Sequence, residues 1–364
     1  MILRRLLVAL TVLTLVALAL ARVLAPAPPP AYSYHLDGHL GRPYAILAAG
    51  GRLWVSNLEG LGTADPSGYL LGLAPGRPDL VVRGPASGLY HPSVLCADGR
   101  YLWAISPLTS TLTEIDAATG RVLRVISQRQ LAYDLYLPEA CAVSHGNLWV
   151  ANSAYASPIS PVIAANLTEL NAVTGRLVRV VNGTGRSWTA PIALTAYRGS
   201  LLLSNVNPSA PRASLVEVSA RGRFLRDLTR SIPGLSLVVA AIVAHGNVWL
   251  ADAVAGTVLV VAPRTHRVLL RLDPFSTSSS PVDLLYTSGL VLVAGSGGAG
   301  IDPALSAVDV HTGHVRYEIL SPGAADNLTR LALYRGHVWV TDYDTHELIE
   351  VSPSTGRVLS VTYP

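Results

Sequence analysis

The sequence predicts an all-β fold, a seven-bladed β-propeller of four-stranded antiparallel blades over residues 35–364. Three observations lead to this prediction. One pattern recurs seven times at spacings of 43 to 53 residues, each copy alternates apolar and polar positions in four short segments, and glycine-containing turns separate the segments. A repeat of this size cannot bury its apolar face alone, so successive copies must pack on one another.

The copies align on one large apolar residue of the second strand. These landmarks are Trp54, Trp103, Trp149, Leu202, Trp249, Leu292 and Trp339. The clearest first strands are expected at 45–48, 139–143 and 192–196, third strands at 112–115, 167–170 and 348–351, and fourth strands at 121–125, 176–180 and 267–271. Seven such blades close into a ring, an arrangement that leaves only short, protected sheet edges.

Two columns of turn residues support the alignment. A glycine between the third and fourth strands supplies the positive φ of a bulged hairpin. It recurs at Gly76, Gly120, Gly175, Gly222, Gly313 and Gly356, and the fifth copy has His266 instead. A short residue three positions after each landmark is expected to bond local backbone groups where the strand ends. This column reads Asn57, Ser106, Asn152, Asn205, Asp252, Gly295 and Asp342.

The N-terminus predicts export. Arg4 and Arg5 precede the apolar run 6–21, so residues 1–25 are typical of a signal peptide or an uncleaved signal anchor. The proline-rich segment 26–34 is a linker, and the propeller follows over 35–364. We therefore expect an extracellular protein, or one on the outer face of the cytoplasmic membrane, that contacts the membrane only through this segment.

Charge argues against nucleic acid as a partner. The chain has 27 basic and 23 acidic residues, a net charge of +4. Without Arg4, Arg5 and Arg22 of the N-terminal segment the balance is 24 to 23, or +1. Nucleic-acid binding needs a concentrated basic surface, which is not present here.

The two cysteines lie in the first strands of neighbouring copies. Cys96 and Cys141 are offset by one residue when the copies are aligned on their prolines. A one-residue offset places them on opposite faces of their strands, and opposite faces of adjacent blades can point at each other. Export favours a disulfide between them. The alternative is two buried thiols that act as small apolar residues.

The loops between the second and third strands, and those between blades, share one end of the ring, here called the loop face. Several aromatic residues and one histidine fall in this set: Tyr90, His91, Tyr133, Tyr136, Tyr155, Trp188, Phe275 and Tyr343. Irregular aromatic loops on a rigid scaffold commonly form binding sites. The alternative is that loops vary in length without function and that apolar surface is common.

One loop offers ligand-type side chains for a divalent cation. Asp342, Asp344, His346 and Glu347 stand within six residues, and hard cations favour such oxygen-rich loops. The polar column already accounts for Asp342. No other cofactor is indicated by the sequence.

The repeat also resembles known families. VWVTD and LWVAN, the latter followed by LTELNAVTGR, are similar to the YVTN-type propeller repeats of secreted proteins and to repeats of the NHL and virginiamycin B lyase groups. The resemblance covers about 320 residues and implies a secreted propeller. Asp116–Gly120 resembles part of the quinoprotein repeat, but the tryptophan that ends each repeat of that family is missing, so no quinone cofactor is expected.

Three functions are compatible with this sequence, because a fold does not determine a function. The first is a monomeric, non-catalytic binding module for an envelope protein, a glycan or a small ligand. The second is a metal-dependent enzyme similar to the streptogramin lyases or lactonase-type propellers, and the third is a structural envelope module. Acidic or histidine side chains converging on the central funnel would favour the enzyme, and an aromatic, uncharged funnel mouth would favour binding.

Overall fold

The computed structural model describes residues 40–58, 68–131, 135–153, 155–157, 160–163, 165–183, 188, 190–206, 214–229, 231–297, 301–320 and 327–363. Within them, seven four-stranded antiparallel sheets follow one another along the chain, which confirms the predicted seven-bladed propeller. The signal segment 1–25, the linker 26–34 and residues 35–39 lie outside the described residues. Among the described residues, no helix has the length and apolar character needed to cross a membrane.

Each blade runs from its first strand to its fourth in sequence order. Blade 1 has Pro43–Ala49, Arg52–Asn57, Tyr69–Leu73 and Leu80–Val82; blade 2 has Val94–Asp98, Tyr101–Ser106, Thr111–Asp116 and Val122–Ser127. Blade 3 has Pro138–Ser144, Asn147–Asn152, Asn166–Asn171 and Leu177–Asn182; blade 4 has Ala190–Tyr197, Ser200–Val206, Ser214–Ser219 and Phe224–Asp227. Blade 5 has Val238–Ala244, Asn247–Asp252, Thr257–Val261 and Val268–Leu272; blade 6 has Ser280–Thr287, Leu290–Ser296, Ala304–Asp309 and Val315–Leu320; blade 7 has Leu328–Tyr334, His337–Asp342, Glu347–Val351 and Val358–Thr362.

Blade 3 also carries an element that sequence reasoning did not predict. The segment 153–165 was expected to be an irregular loop, but it contains a two-stranded hairpin of Tyr155–Ser157 and Ser160–Ile163. The other additions are the short 3-10 helices Pro85–Ser87 and Pro107–Thr109, each of which begins with a proline that fits the first helical turn.

The core lies between neighbouring blades. All seven landmark residues of the second strands are buried, and each apolar cluster combines residues of adjacent blades. Trp103 and Ile126 of blade 2, for example, pack in one cluster with Leu148 and Leu170 of blade 3. Burial at these interfaces is what the isolated repeat lacks, and it supplies the main stabilising term of the ring.

The glycine column has a packing role as well as a backbone role. Gly222, between the third and fourth strands of blade 4, has φ +74°, and a Cβ there would lie 2.5 Å from the Val181 side chain of blade 3. In blade 5 the column residue His266 adopts φ 56° and is buried, with its Nδ1 3.5 Å from Nη1 of Arg226 in blade 4. The turn between the third and fourth strands of these blades therefore packs against the fourth strand of the preceding blade.

Within the described residues, the sheets of the first and last blades share no strand. The first strands of successive blades contact one another in a complete circle, including the pair that joins blade 7 to blade 1. At this junction the hydroxyls of Thr329 and Thr341 donate to the Tyr44 carbonyl oxygen, at 2.9 and 2.8 Å. The Tyr334 hydroxyl donates to the Gly51 carbonyl oxygen at 2.9 Å. Side-chain hydrogen bonds and apolar packing thus replace a shared sheet at the closure.

Candidate functional site

The first strands line a central channel. Its loop-face half encloses a cavity of about 190 Å³, and all seven blades contribute to the wall. In each blade, one residue of the first strand lies opposite the second-strand residue that stands two places after the landmark. These first-strand residues occupy equivalent positions and form one row around the channel. This row reads Ala45, Val94, Ala140, Ala193, Ala240, Asp283 and Arg330. Five blades therefore present a small apolar side chain, and only blades 6 and 7 present a charge.

A bulge at the start of the first strand sets a second row. In six blades one extra residue stands between the first two register pairs, as in blade 3, where Pro138 pairs with Asn152 and Ala140 with Ala151. The extra residues are Tyr44, Glu139, Ile192, Val239, Val282 and Thr329. Bulges redirect side chains out of the regular alternation. Glu139 is the only charged residue of this row, and it lines the cavity.

Glu139 faces the channel, and no described neighbour balances its negative charge. Among the described residues its carboxylate has no hydrogen-bond or ion-pair partner. The side chain is open to the channel, but the surrounding protein still removes part of its hydration, and this desolvation raises the pKa of the carboxyl. A raised pKa in a concave, apolar setting is a feature of functional sites.

Asp283 and Arg330 are neighbours from adjacent blades. Asp283 Oδ2 accepts a hydrogen bond from the Leu331 N–H at 2.8 Å, so this carboxylate also ties blade 6 to blade 7. Desolvation raises the pKa of Asp283, and the Arg330 charge and two backbone N–H groups oppose that rise. The Arg330 Nη1 donates to the Thr329 carbonyl oxygen at 2.8 Å. Asp283 therefore has partners that Glu139 lacks.

A row of alternating arginine and tyrosine side chains leads from the channel to the loop face. Arg330 Cζ lies 5.7 Å from the Tyr44 ring centroid. The Tyr44 and Tyr343 rings meet edge to face with their centroids 6.0 Å apart. Arg42 Cζ lies 5.8 Å from the Tyr343 ring. These distances suit cation–π and edge-to-face contacts, so the four residues, here called the Arg–Tyr row, form one continuous edge of the channel mouth.

The predicted aromatic candidates divide into several groups. Tyr90, Tyr136 and Tyr343 are half-buried near the loop face, and only Tyr343 is joined to the channel, through the Arg–Tyr row. Tyr133 lies outside the described residues. Tyr155 lies in the first strand of the extra hairpin of blade 3, and its side chain is outside what the structure describes.

Three of the candidates are not available on the surface. Trp188, Phe275 and His91 are exposed by only 4%, 6% and 4%. Trp188 belongs to the core of blades 3 and 4. Phe275 covers Gly295, where a Cβ would lie 2.5 Å from its ring, and burial lowers the pKa of His91. The binding-face interpretation is corrected for these three, because they fill space at the blade ends.

The polar column is structural, as predicted. Asn57 Oδ1 accepts the Gly41 N–H at 2.9 Å, and the Asp252 carboxylate accepts the N–H groups of Ser236 and Leu237 at 2.7 and 2.8 Å. These buried side chains hold the segment that enters the first strand of their own blade. In blade 6 the Phe275 ring packs over the glycine of the column instead.

The four ligand-type residues near residue 342 do not converge. Asp342 is fully buried and accepts the N–H groups of Asp344 and Thr345, at 3.1 and 3.2 Å. Asp344 Oδ2 accepts a hydrogen bond from the Asn327 side chain. Over the described parts of the chain, no group of three or more His, Cys, Asp or Glu side chains could hold a metal ion. The interpretation of Asp342, Asp344, His346 and Glu347 as metal ligands stays a prediction, and in the structure the Asp342 carboxylate holds the turn.

The two cysteines are joined. Cys96 of blade 2 and Cys141 of blade 3 form a disulfide with their Cα atoms 6.2 Å apart. Cys96 packs in the interface cluster of the two blades, and Cys141 contributes to the channel wall. The bond therefore links neighbouring blades close to the candidate site.

Sequence reasoning did not select the charged channel residues. Glu139, Asp283 and Arg330 look like ordinary polar positions at the starts of strands. An alignment of the first strands alone would have revealed them as the charged members of two otherwise uncharged rows. That alignment depends on the bulge, which the repeat pattern does not display.

Comparisons with known proteins establish only the fold class of this chain. No family model and no curated protein matches this chain. Solved structures do match, among them the crystal structure of the computationally designed Ika8 protein, at 16% identity and a TM-score of 0.59 over 90% of this chain and 88% of that chain. Such a likeness shows the fold alone. The chain is thus a β-propeller repeat protein, and its resemblance to the YVTN, NHL and virginiamycin B lyase groups stays a prediction.

Proposed function

We propose that this protein is a non-catalytic binding module whose ligand enters the loop-face half of the central channel. One observation carries the proposal: the charges of two structural rows are concentrated in Glu139, Asp283 and Arg330, on one cavity. The other blades build the same strands with uncharged residues at these positions. Asp283 and Arg330 also join blades 6 and 7, whereas Glu139 has no partner among the described residues. A charge in a partly desolvated channel lowers stability unless another group or a ligand interacts with it, so Glu139 is the residue that points to a ligand.

A small ligand fits this site better than a glycan or an envelope protein. The cavity of about 190 Å³ is below the usual size of drug-sized pockets. It is nevertheless concave and polar at defined points, whereas the described loops around it supply few exposed aromatic residues. The Arg–Tyr row gives the mouth one aromatic and cationic edge along which a ligand can enter.

Export is part of the proposal. The disulfide between Cys96 and Cys141 supports it, because such bonds form and persist in oxidising compartments. Fusion of residues 1–40 to a reporter that is active only outside the cytoplasm tests this point. Reporter activity is expected with the native segment. No activity would contradict export.

An enzyme is the second candidate, and a specific observation favours it. The carboxyls of Glu139 and Asp283 both line the cavity, and desolvation raises the pKa of each, which is the direction expected of a carboxyl that acts as a general acid. Such chemistry would resemble the streptogramin lyases or lactonase-type propellers in class. Any compound found to bind should therefore be incubated with the protein and analysed for conversion, with Glu139→Gln as the inactive comparison.

The binding-module proposal is tested with ligands and with a substitution that fills the channel. Thermal-shift screening of a chemically diverse library on the full-length protein is expected to yield compounds that raise the melting temperature. Ala240→Leu narrows the cavity and should abolish those shifts, whereas Val254→Leu, at a position 72% exposed in a loop, should preserve them. Shifts that survive Ala240→Leu, or a library without any hit, would overturn the proposal and leave the structural envelope module.

A further inference from the structure

The charges of the channel do not balance. Two carboxylates, Glu139 and Asp283, and one guanidinium, Arg330, line the loop-face cavity, which gives it a net charge of −1 when all are ionised. Asp283 and Arg330 lie in adjacent blades and offset each other through space. Glu139 belongs to blade 3, on the other side of the ring, where the row positions of the neighbouring blades are Val94 and Ala193. The excess negative charge is therefore located at Glu139.

The walls around Glu139 favour an organic cation over a metal ion. The adjoining positions are Ser93, Val94, Ala140 and Ile192, which offer one hydroxyl and mostly apolar contact. Calcium takes six to eight oxygen ligands, and magnesium requires near-octahedral oxygen coordination. The described residues supply no group of three or more ligand-type side chains for such an ion. An ammonium group on a short apolar stem matches a carboxylate set in an apolar wall.

The bulge gives Glu139 the reach for this role. It adds one residue between the pairs Pro138–Asn152 and Ala140–Ala151, at the second residue of the strand and near the loop-face mouth. A ligand entering from the loops therefore meets this side chain near the mouth of the channel. The disulfide at Cys141, two residues on, fixes the strand to blade 2. The carboxylate is thus held on a rigid element.

We infer that the channel binds a small organic ammonium compound, with Glu139 as the anionic residue that contacts its charged group. Asp283 and Arg330 offset each other, and Arg330 is placed to orient any acceptor group that the ligand carries on the side of blades 6 and 7. This inference rests on the proposed function, because it identifies the class of ligand for the same channel.

The experiment uses three probes that each contain four carbon atoms: n-butylammonium, n-butanol and butyrate. Ligand-observed NMR titration of the full-length protein near pH 7 is expected to show binding of butylammonium only, with a dissociation constant on the order of millimolar, as a ligand of five heavy atoms allows. Glu139→Gln should weaken that binding by about tenfold or more, the usual loss for one charged hydrogen bond. Asp98→Asn, an exposed acid at the other end of a first strand, should leave it unchanged.

The pH dependence and the controls separate the possible failures. Butylammonium binding should fall as the pH is lowered, because Glu139 takes up a proton. Equal binding of butanol, or no effect of Glu139→Gln, would overturn the ammonium inference. If library compounds still bind in a manner sensitive to Ala240→Leu, the binding module stands without the ammonium class. If no compound depends on Ala240→Leu, both proposals fail.

Discussion

Glu139 shows how one residue departs from a repeat. The equivalent bulge residues are Tyr44, Ile192, Val239, Val282 and Thr329, none of them charged. Its carboxyl has a folded-state pKa raised above the reference value of 4.5. Between the unfolded-state pKa and the higher folded-state pKa, the folded protein therefore binds more protons than the unfolded chain. The free energy of unfolding decreases as the pH rises through this window, so ionised Glu139 destabilises the fold at neutral pH.

Glu139→Gln should accordingly stabilise the protein at neutral pH. The amide keeps the shape of the side chain and removes the charge, so the melting temperature at pH 7 is expected to rise relative to wild type. The difference should shrink as the pH falls below the unfolded-state pKa, where the carboxyl is protonated in both the folded and the unfolded protein. Calorimetry at several pH values measures this, with Asp98→Asn as a surface control. A drop in melting temperature at pH 7 would refute the desolvation argument.

At the scale of elements, turns and bulges decide how blades meet. In most blades the third-to-fourth turn packs on the fourth strand of the blade before it, so a column glycine there combines a positive φ with little volume. The exceptions are His266 of blade 5 and Gly76 of blade 1, where a Cβ would meet nothing within 4 Å. Gly222 and Gly356 meet Val181 and Tyr317 of the preceding blade, each within 2.5 Å of a Cβ built on the glycine. The turn between the first and second strands of blade 5 differs, since a Cβ at Gly246 would meet nothing within 4 Å.

A pair of glycine substitutions separates backbone strain from packing. Gly222→Ala and Gly246→Ala both place alanine at a positive φ, +74° and +76°, which costs about 1–3 kcal/mol in each case. Gly222→Ala should cost about 1–3 kcal/mol more, because its Cβ overlaps the Val181 side chain. Chemical denaturation of the two variants gives the difference. Equal losses would show that the turn does not pack on blade 3 as described.

The disulfide is a second inter-blade element. Replacing both Cys96 and Cys141 with alanine should lower the free energy of unfolding by about 2–4 kcal/mol, because the bond no longer restricts the unfolded chain. Reductant should lower the melting temperature of the wild type and leave that of the double variant unchanged. A wild-type melting temperature that is insensitive to reductant would contradict the stabilising role.

The whole molecule depends on one closing interface. Six junctions join blades that follow each other in sequence, and the seventh joins the two ends of the described ring. There the Tyr44 carbonyl oxygen accepts from two threonine hydroxyls, and Leu40 packs with Leu348 and Trp339 of the last blade. Because blades 1 and 7 lie at opposite ends of the described ring, these contacts between their side chains contribute directly to the stability of closure.

Thr329→Val with Thr341→Val tests that closure. Valine preserves the shape but leaves the Tyr44 carbonyl oxygen without its two donors, so a loss of about 1–3 kcal/mol is expected. Thr195→Val is the control, since the Thr195 hydroxyl of blade 4 donates to the Ala241 carbonyl oxygen of blade 5 at 2.9 Å, at a junction away from the closure. Urea denaturation of both variants compares the junctions. A double variant no less stable than the control would show that these hydrogen bonds do not limit closure.

Much of the architecture could be predicted from the sequence because it depends on local chemistry that is repeated. Alternating apolar residues, the landmark column and the turn glycines each act within one blade, so seven copies indicate seven blades. The offset of the two cysteines likewise predicted that they could face each other across a blade interface. The hairpin within 153–165 was missed because its segment lies outside the repeat.

The candidate site was decided by tertiary structure. Glu139, Asp283 and Arg330 are 47 to 191 residues apart in the chain, and only ring closure brings their strands to one channel. Burial also depended on neighbours: Trp188, Phe275 and His91 resembled exposed loop residues but are enclosed by their surroundings. The sequence by itself determined the repeating blade, because strand and turn preferences are local. Only the closed ring decided which side chains share a cavity, because that depends on contacts between blades distant in the chain.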